Sequence, residues 1–386
     1  VKHRLHVLEM GSKVPRSIEA RGAARAQNSP DADGVETLAE MRAQMPADFG
    51  RQGLPPLVDR QGRIYSYLRL SITDRCDFAC VYCMPPGGED DHAERPELLS
   101  FEEIARLCRV LAELGIERIR FTGGEPLVRR DVVRLVELVE RQAGVRKLVM
   151  TTNGSRLSEL AHPLRAAGLT GVNISLDTLD AERFAQLTRG GKLSRVLAGV
   201  NAALDAGLEV KLNAVLLDTN LPDAGQLVDW AWQRGLTPRF IELMPLGEAA
   251  KLSADRFVAQ AELVRVLGSR LASAEHGGYH AREGQGPARY LRAADGSDRR
   301  VGFITAVSNE FCESCNRLRV TARGEVRACL ASRRALSLRD LMRTGASDRE
   351  LAWAVHQALG TKLAGHLFND VAADEHRHVG MSLIGG

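Results

Sequence analysis

The sequence predicts an α/β protein, a parallel sheet wrapped by helices and followed by a smaller C-terminal module. Two observations carry the sheet. Between Tyr65 and Leu246 short apolar, partly β-branched runs alternate with segments of helical period. Each run is followed by its own helix, the order that right-handed crossovers between parallel strands require. A third observation separates the module: after about Gly247 the alternation stops, and a stretch rich in Gly, Arg and polar residues (276–300) leads to a second group of cysteines.

Strands are expected over residues 67–73, 118–122, 147–151, 171–176, 210–217 and 239–244. Helices are expected between them over 101–114, 131–141, 193–206 and 226–233, several closed by a glycine (Gly115, Gly168, Gly207, Gly235) where a left-handed cap is wanted. Ser100, with Glu102 and Glu103 behind it, reads as an N-cap. Six such units fit either a doubly wound sheet or an incomplete barrel, and periodicity does not choose. Helical character resumes over 253–272, a hairpin region is expected over 301–330, and two further helices over 336–341 and 348–359. Residues 1–60 mix nine Lys/Arg with eight Asp/Glu and a single aromatic, too little apolar material to offset the entropy of ordering them. They are expected to form a mobile extension, with a short helix around 31–45 capped by Asp31 or Asp33; a sheet domain over 61–275 and a module over 276–386, ending in Gly385 and Gly386, follow.

No window approaches eighteen consecutive apolar residues and no secretion signal is seen, so a cytoplasmic protein without membrane spans is expected. The net charge of +3, from 52 Lys and Arg against 49 Asp and Glu, is too balanced for a protein that coats nucleic acid or an acidic membrane.

The unusual polar residues fall at one end of the expected sheet. Cys76, Cys80 and Cys83 follow the first strand, TGGEP (122–126) the second and TTNG (151–154) the third; Ser175 and Asp177 end the fourth, Asn213 lies within the fifth and Met244 ends the sixth. Parallel α/β proteins build their sites at the carboxyl ends of strands. Residues two apart share a strand face, which groups Arg69 with Ser71 and Thr73, Arg120 with Thr122, and Lys211 with Asn213. Were those faces inward, several cations would sit inside the sheet and call for an anionic ligand. Outward-facing or carboxylate-paired side chains are the alternative.

The seven cysteines are odd in number and clustered, a poor disulfide framework. Cys76, Cys80 and Cys83 form CxxxCxYC. Three thiolates on one loop can hold three corners of a [4Fe-4S] cube and leave the fourth iron open to a small molecule, whereas zinc would need a fourth ligand, the nearest being His92. Cys312, Cys315 and Cys329 again supply three thiolates, with zinc again the competing metal. Cys108 lies on an apolar helix face and reads as core. Beside the second group stands NRLR (316–319), whose alternation puts Arg317 and Arg319 on one side, suited to forked recognition of a phosphate or carbonyl edge.

CxxxCxYC after a first strand and GGEP after the second resemble the radical S-adenosylmethionine superfamily, and the longer set LRLSITDRCDFACVYC, RFTGGEPLVRRD, TTNG, NISLD, RFIELMPLG, FCESCNRLRVTARGEVRACL and the terminal GG resembles the MoaA family, the GTP 3',8-cyclases of molybdenum cofactor biosynthesis. One departure is Asp77, where the family usually carries Asn. The resemblance implies an incomplete (βα)6 TIM-like barrel closed by a C-terminal module, with a [4Fe-4S] cluster on Cys76, Cys80 and Cys83 and a second on Cys312, Cys315 and Cys329. It implies that S-adenosylmethionine contacts Tyr82, Gly124, Ser175 and Met244, with Gly123 and Gly124 letting backbone approach its amino group. GTP would be held by Arg69, Arg120, Thr151, Lys211, Arg317, Leu318 and Arg319, its guanine facing the open iron of the second cluster. A deoxyadenosyl radical would take the ribose 3' hydrogen, the carbon radical would attack guanine C8, and reduction would give 3',8-cyclo-7,8-dihydro-GTP. The implied partners are GTP, a reducing electron donor and cyclic pyranopterin monophosphate synthase as the next enzyme, and a homodimer is compatible with the reading. A radical peptide maturase with an auxiliary cluster and a non-catalytic iron–sulfur scaffold are the rival readings.

Overall fold

The computed structural model describes residues 38–88, 92–272, 280–281, 286–332, 334–366, 368 and 380–381. Among the described residues twelve strands form one sheet: β1 (Tyr67–Ser71), β2 (Arg118–Thr122), β3 (Lys147–Thr152), β4 (Gly171–Ser175), β5 (Glu209–Leu216), β6 (Thr237–Glu242), β7 (His280–Ala281), β8 (Arg289–Arg292), β9 (Arg300–Ile304), β10 (Arg317–Val320), β11 (Glu325–Arg327) and β12 (Leu336–Ser337). Their order is β12-β11-β10-β1-β2-β3-β4-β5-β6-β9-β8-β7, so β1 to β6 are neighbours in sequence order. All five pairings among those six are parallel. The first and last strands of the sheet are not paired with each other, which makes the barrel incomplete.

Alternation sorts each strand into two faces. Leu68, Leu70, Ile119, Phe121, Leu148, Met150, Val172, Ile174, Leu212 and Phe240 are all nearly fully buried in one apolar core with the helices. The opposite face carries Arg69, Arg120, Thr151, Asn173, Lys211 and Arg239. The helices start and stop where local chemistry dictates. Ser100 accepts from Glu103 N while Glu103 reaches back to Ser100 N, a reciprocal cap on Phe101–Glu113. Gly115, at φ 96°, takes the left-handed turn that releases the chain toward β2. Cys108 is fully buried in that helix.

Two expectations about the flanks are corrected. Residues 38–60 do not form an extension: the Leu38–Gln44 helix buries Met41, Leu57 is fully buried and donates its N–H to Leu114 O at 3.1 Å, and Arg349 donates to Ala47 O at 2.8 Å. Single core residues in a polar stretch leave no periodic signal, which is why the segment reads as solvent-bound. Asp31 and Asp33 lie outside the described residues, as do Gly385 and Gly386. The second correction concerns 301–330, which is not one hairpin. β9 pairs with β8 and, in parallel, with β6; β10 pairs with β11 and, in parallel, with β1. The expected C-terminal module therefore extends both edges of the barrel sheet, and residues 305–316 cross from one edge to the other carrying Cys312 and Cys315. Strand order across a sheet is a non-local property that neighbouring residues do not encode.

Glu350 ties the Leu38–Gln44 helix to the Asp348–Gly360 helix. Hydrogen bonds from Arg42 and Ser347 hold its carboxyl at about 2, below the usual 4.5. A depressed carboxylate stabilises the fold fully above its unfolded value and loses that contribution as pH falls toward the folded one. Glu350→Gln should therefore lower stability at pH 7 and flatten the loss that the wild type shows between about pH 4.5 and pH 2, measured by urea denaturation across that range.

Candidate active site

The loop carrying Cys76, Cys80 and Cys83 leaves the end of β1 and is fastened on three sides. Against the turn after β2, Gly124 N donates to Thr73 O at 2.9 Å and Glu125 N to Arg75 O at 2.8 Å. That approach explains the glycine pair: a Cβ on Gly123 would lie 2.4 Å from Thr73 O, and one on Gly124 2.5 Å from Arg75 O. The glycines thus serve first to seat the cysteine loop, a different reason from the ligand contact expected of them. Against the Ala181–Thr188 helix, Ala79 N donates to Thr188 O and Val81 N to Leu187 O at 2.9 Å. Arg189, itself left-handed at φ 51°, donates to Met84 O at 2.7 Å and Ala79 O at 3.2 Å and so spans Cys80 and Cys83. On the third side, the exposed Asp77 carboxylate accepts from Asn153 Nδ2 and Ser155 Oγ, both at 2.6 Å, joining the loop to the end of β3.

Two buried carboxyls underpin this end of the barrel. Glu125 accepts from Thr152 Oγ1 at 2.7 Å, Asn153 N at 2.6 Å and Leu127 N at 3.0 Å, yet burial pushes it up to about 7. Asp177 accepts from Tyr82 Oη at 2.7 Å and Val215 N at 2.8 Å, and burial raises it to about 6. Tyr82 is thereby aimed from the cysteine loop to the end of β4. Ser175 and Met244 are half-buried at the ends of β4 and just past β6. His92 faces Asp74, Nδ1 to Oδ1 3.9 Å.

Below this mouth the inward face is cationic. Arg69 stands level with Arg319 on β10 and with Arg120 on β2, three guanidinium-bearing positions on adjacent strands. Burial holds Arg69 well below its usual range, reinforced by Arg319, Arg120 and Arg317; Arg319 is brought down to about 10 by burial and Arg317. Arg120 donates to the Tyr67 hydroxyl, to Met150 O at 3.1 Å and to Thr151 Oγ1 at 3.3 Å. Burial alone would raise the Tyr67 phenol, but Arg120 and Arg69 bring it down to about 8. Lys211 pairs with Glu209 and lines, with Arg118, Arg120, Lys147 and Asn173, a cavity of about 320 Å³ that includes its open mouth. Arg239 on β6 is 5% exposed, and among the described residues its Nε and one terminal nitrogen have no hydrogen-bond partner. Thr122 Oγ1 and Asn213 Oδ1, buried on the same face, are also unpartnered. Orphaned polar atoms of both kinds beside a cluster of cations fit a polar anionic ligand.

The second cysteine group lies on the crossing segment and β11's exit. Glu242 at the end of β6 accepts from Val307 N at 3.2 Å and Ser308 N at 3.0 Å, and Asn316 donates to Ser66 Oγ at 3.1 Å, so both ends of the crossing are pinned. Cys315 Sγ accepts from Lys362 Nζ at 3.3 Å and Arg317 at 3.7 Å. Against burial, Arg317 and Lys362 lower its thiol to about 6, whereas burial raises Cys76, Cys80 and Cys312. All seven cysteines are free. Among the described residues only Glu310, Cys312 and His366 bring three ligand atoms within 4.8 Å of one another. A zinc ion with bonds of about 2.3 Å draws its sulfurs to roughly 4 Å apart, and neither cysteine triad brings its three sulfurs within 4.8 Å of one another.

Of the residues expected to bind substrate, the structure brings Arg69, Arg120, Thr151, Lys211, Arg317 and Arg319 onto one face. Leu318 is corrected: it points to the opposite face and is fully buried in the apolar core, leaving only its backbone for a ligand. Tyr67 escaped the sequence reading although its parity with Arg69 on the same strand could have found it, whereas Arg239 stands beside Asn213 only through the register of β5 and β6. Arg189 and Lys362 carry no local signal.

The sheet, with three free thiols on a loop after its first strand, defines a radical S-adenosylmethionine fold: the Radical SAM superfamily profile matches residues 70–231, and a Molybdenum Cofactor Synthesis C profile matches residues 236–368. Curated relatives include GTP 3',8-cyclase 1 of Pseudomonas aeruginosa, 45% identical over 319 residues that make up 81% of this chain and 94% of the relative. The GTP 3',8-cyclases of Rhodopseudomonas palustris (43% identical, 81% and 90% covered) and Rhizobium meliloti (42%, 86% and 95%) are similar over the same body. The chain belongs to the GTP 3',8-cyclase family.

Because the Gly124 Cβ direction is filled by backbone, Gly124→Ala should displace the cysteine loop while leaving the second triad alone. Iron after anaerobic reconstitution should fall by about four per chain, with the remainder lost only on also replacing Cys329; full iron in Gly124→Ala would refute the seating role.

Proposed function

We propose that this protein converts GTP to (8S)-3',8-cyclo-7,8-dihydroguanosine 5'-triphosphate, the first step of molybdenum cofactor biosynthesis. The observation that carries the reading is the row of cations Arg69, Arg120 and Arg319 at facing positions on β1, β2 and β10, an arrangement that an anionic ligand completes. When bound, a [4Fe-4S] cluster on Cys76, Cys80 and Cys83, together with S-adenosylmethionine, supplies the 5'-deoxyadenosyl radical by reductive cleavage. Tyr82, Gly124, Ser175 and Met244 are the residues assigned to S-adenosylmethionine. Arg69, Arg120, Lys211 and Arg239 are assigned to the triphosphate, with Thr151 positioned by Arg120.

Arg317 and Arg319 hold GTP on the side of Cys312, Cys315 and Cys329, the triad assigned to a second cluster. Arg319 is fixed by its place on β10 beside Arg69, so its guanidinium meets the ligand without reorganising. Positioning is the main contribution of these side chains, since the reacting carbons must be held close while water is kept out. A strong one-electron reductant must reach the protein, cyclic pyranopterin monophosphate synthase would consume the product, and the free thiols suit the cytoplasm. Among the described residues no helix is long and apolar enough to cross a membrane.

Anaerobic incubation with reductant, S-adenosylmethionine and GTP should give 5'-deoxyadenosine and the cyclised nucleotide together by mass spectrometry. Deoxyadenosine without cyclised GTP would move the chemistry to another substrate, such as a peptide. Arg319→Ala should cut cyclised product about tenfold to a hundredfold, the loss of one charged hydrogen-bonding group, while uncoupled deoxyadenosine formation falls less. Equal loss of both would remove Arg319 from substrate binding.

A further inference from the structure

Lys362 has no place in the chemistry assigned above. It follows the Asp348–Gly360 helix, its N–H donating to Leu359 O at 3.0 Å, and it is only 6% exposed. An ammonium buried to that degree needs compensation. Among the described residues no carboxylate pairs with it. Its Nζ instead lies 3.3 Å from Cys315 Sγ and 4.7 Å from the centroid of the Tyr65 ring, a sulfur on one contact and an aromatic face on the other.

The support around it is rigid and shared with the cysteine loop. Tyr65 Oη donates to Asp59 at 2.8 Å, and Asp59 pairs with the buried Arg63 at 2.5 Å. Arg63 in turn donates to Cys312 O at 2.9 Å, Leu363 O at 2.9 Å and Ala364 O at 3.2 Å. One guanidinium therefore fixes the loop that carries the thiols and the segment that carries Lys362, and the ammonium has little freedom to leave the sulfur.

We propose that Lys362 is a positioning residue of the second triad, an ammonium held against Cys315 Sγ that raises the reduction potential of the cluster bound there. The proposal rests on the assignment of Cys312, Cys315 and Cys329 to a [4Fe-4S] cluster. One-electron reduction adds a negative charge to the cluster and its thiolates. A fixed positive donor on a ligating sulfur stabilises the reduced form more than the oxidised one.

The test is an EPR-monitored titration of the reconstituted full-length protein with titanium(III) citrate, using variants that lack one triad to assign each signal. Lys362→Met, close in length and neutral, should keep about eight irons per chain and move the second cluster to a more negative potential, leaving the first unchanged. Lys362→Arg should restore most of the shift. Should the Met variant not fold, Lys362→Gln, a neutral donor, should give the same negative shift. Unchanged potentials with iron intact, or an equal shift in both clusters, would overturn the proposal. A wild type that binds only about four irons, unaffected by Cys329→Ala, would overturn the underlying assignment, an outcome read from iron content alone.

Discussion

Like charge confined inside a sheet is the constraint on which the rest of this structure turns. Arg69, Arg120 and Arg319 occupy facing positions on three adjacent strands, where neighbouring backbones are about 4.8 Å apart. Side chains so placed repel one another and have shed much of their water, so they stand as a cost to the free protein. The fold tolerates it with neutral acceptors for Arg120, the Tyr67 hydroxyl, Met150 O and Thr151, and with the Glu209 carboxylate for Lys211. An anionic ligand converts the same arrangement from cost to affinity. Because the strands hold the cations before the ligand arrives, little reorganisation is left to oppose binding.

The carboxyl end of the barrel meets the opposite requirement, since it must present thiols on an irregular loop without letting that loop wander. Backbone contact does most of this. The absence of side chains at Gly123 and Gly124 lets the turn after β2 lie against Thr73 to Arg75, and Leu187 and Thr188 receive the N–H groups of the loop from the other side. Glu125 and Asp177 then tie this layer to the ends of β3, β4 and β5 through neighbouring N–H and hydroxyl donors. Burial raises both carboxyls, to about 7 and about 6, against the pull of those donors.

What could be read from the sequence divides along the same physical line. The six barrel strands appear within two residues of where alternation puts them, because an apolar face repeats locally, and the cysteine spacings and GGEP announce themselves as short motifs. Tyr67 was legible by parity, yet a lone Tyr in a strand is commonplace and draws no notice, and Arg239 joins the site only through the register of β5 and β6. Met41 and Leu57 are isolated apolar residues whose burial depends on partners distant in sequence, the Asp348–Gly360 helix for the helix of Met41 and Leu114 for Leu57. The opposite placement of β9 and β10 is of the same kind: each looks like a hairpin strand, and only the finished sheet decides which edge it joins.

That placement gives the second triad its particular leverage. The crossing segment between β9 and β10 starts beside β6, where Glu242 grips Val307 and Ser308, and ends beside β1, where Asn316 meets Ser66. It therefore spans the gap that makes the barrel incomplete, and Cys312 and Cys315 sit on the span. A group bound to those thiols would cross-link the two edges of the sheet through the segment that joins them, as a metal staple closes a long loop. Arg317 and Arg319 lie on the strand at the far end of the span, so the backbone that carries Cys315 continues directly into the cations, with Arg319 level with Arg69.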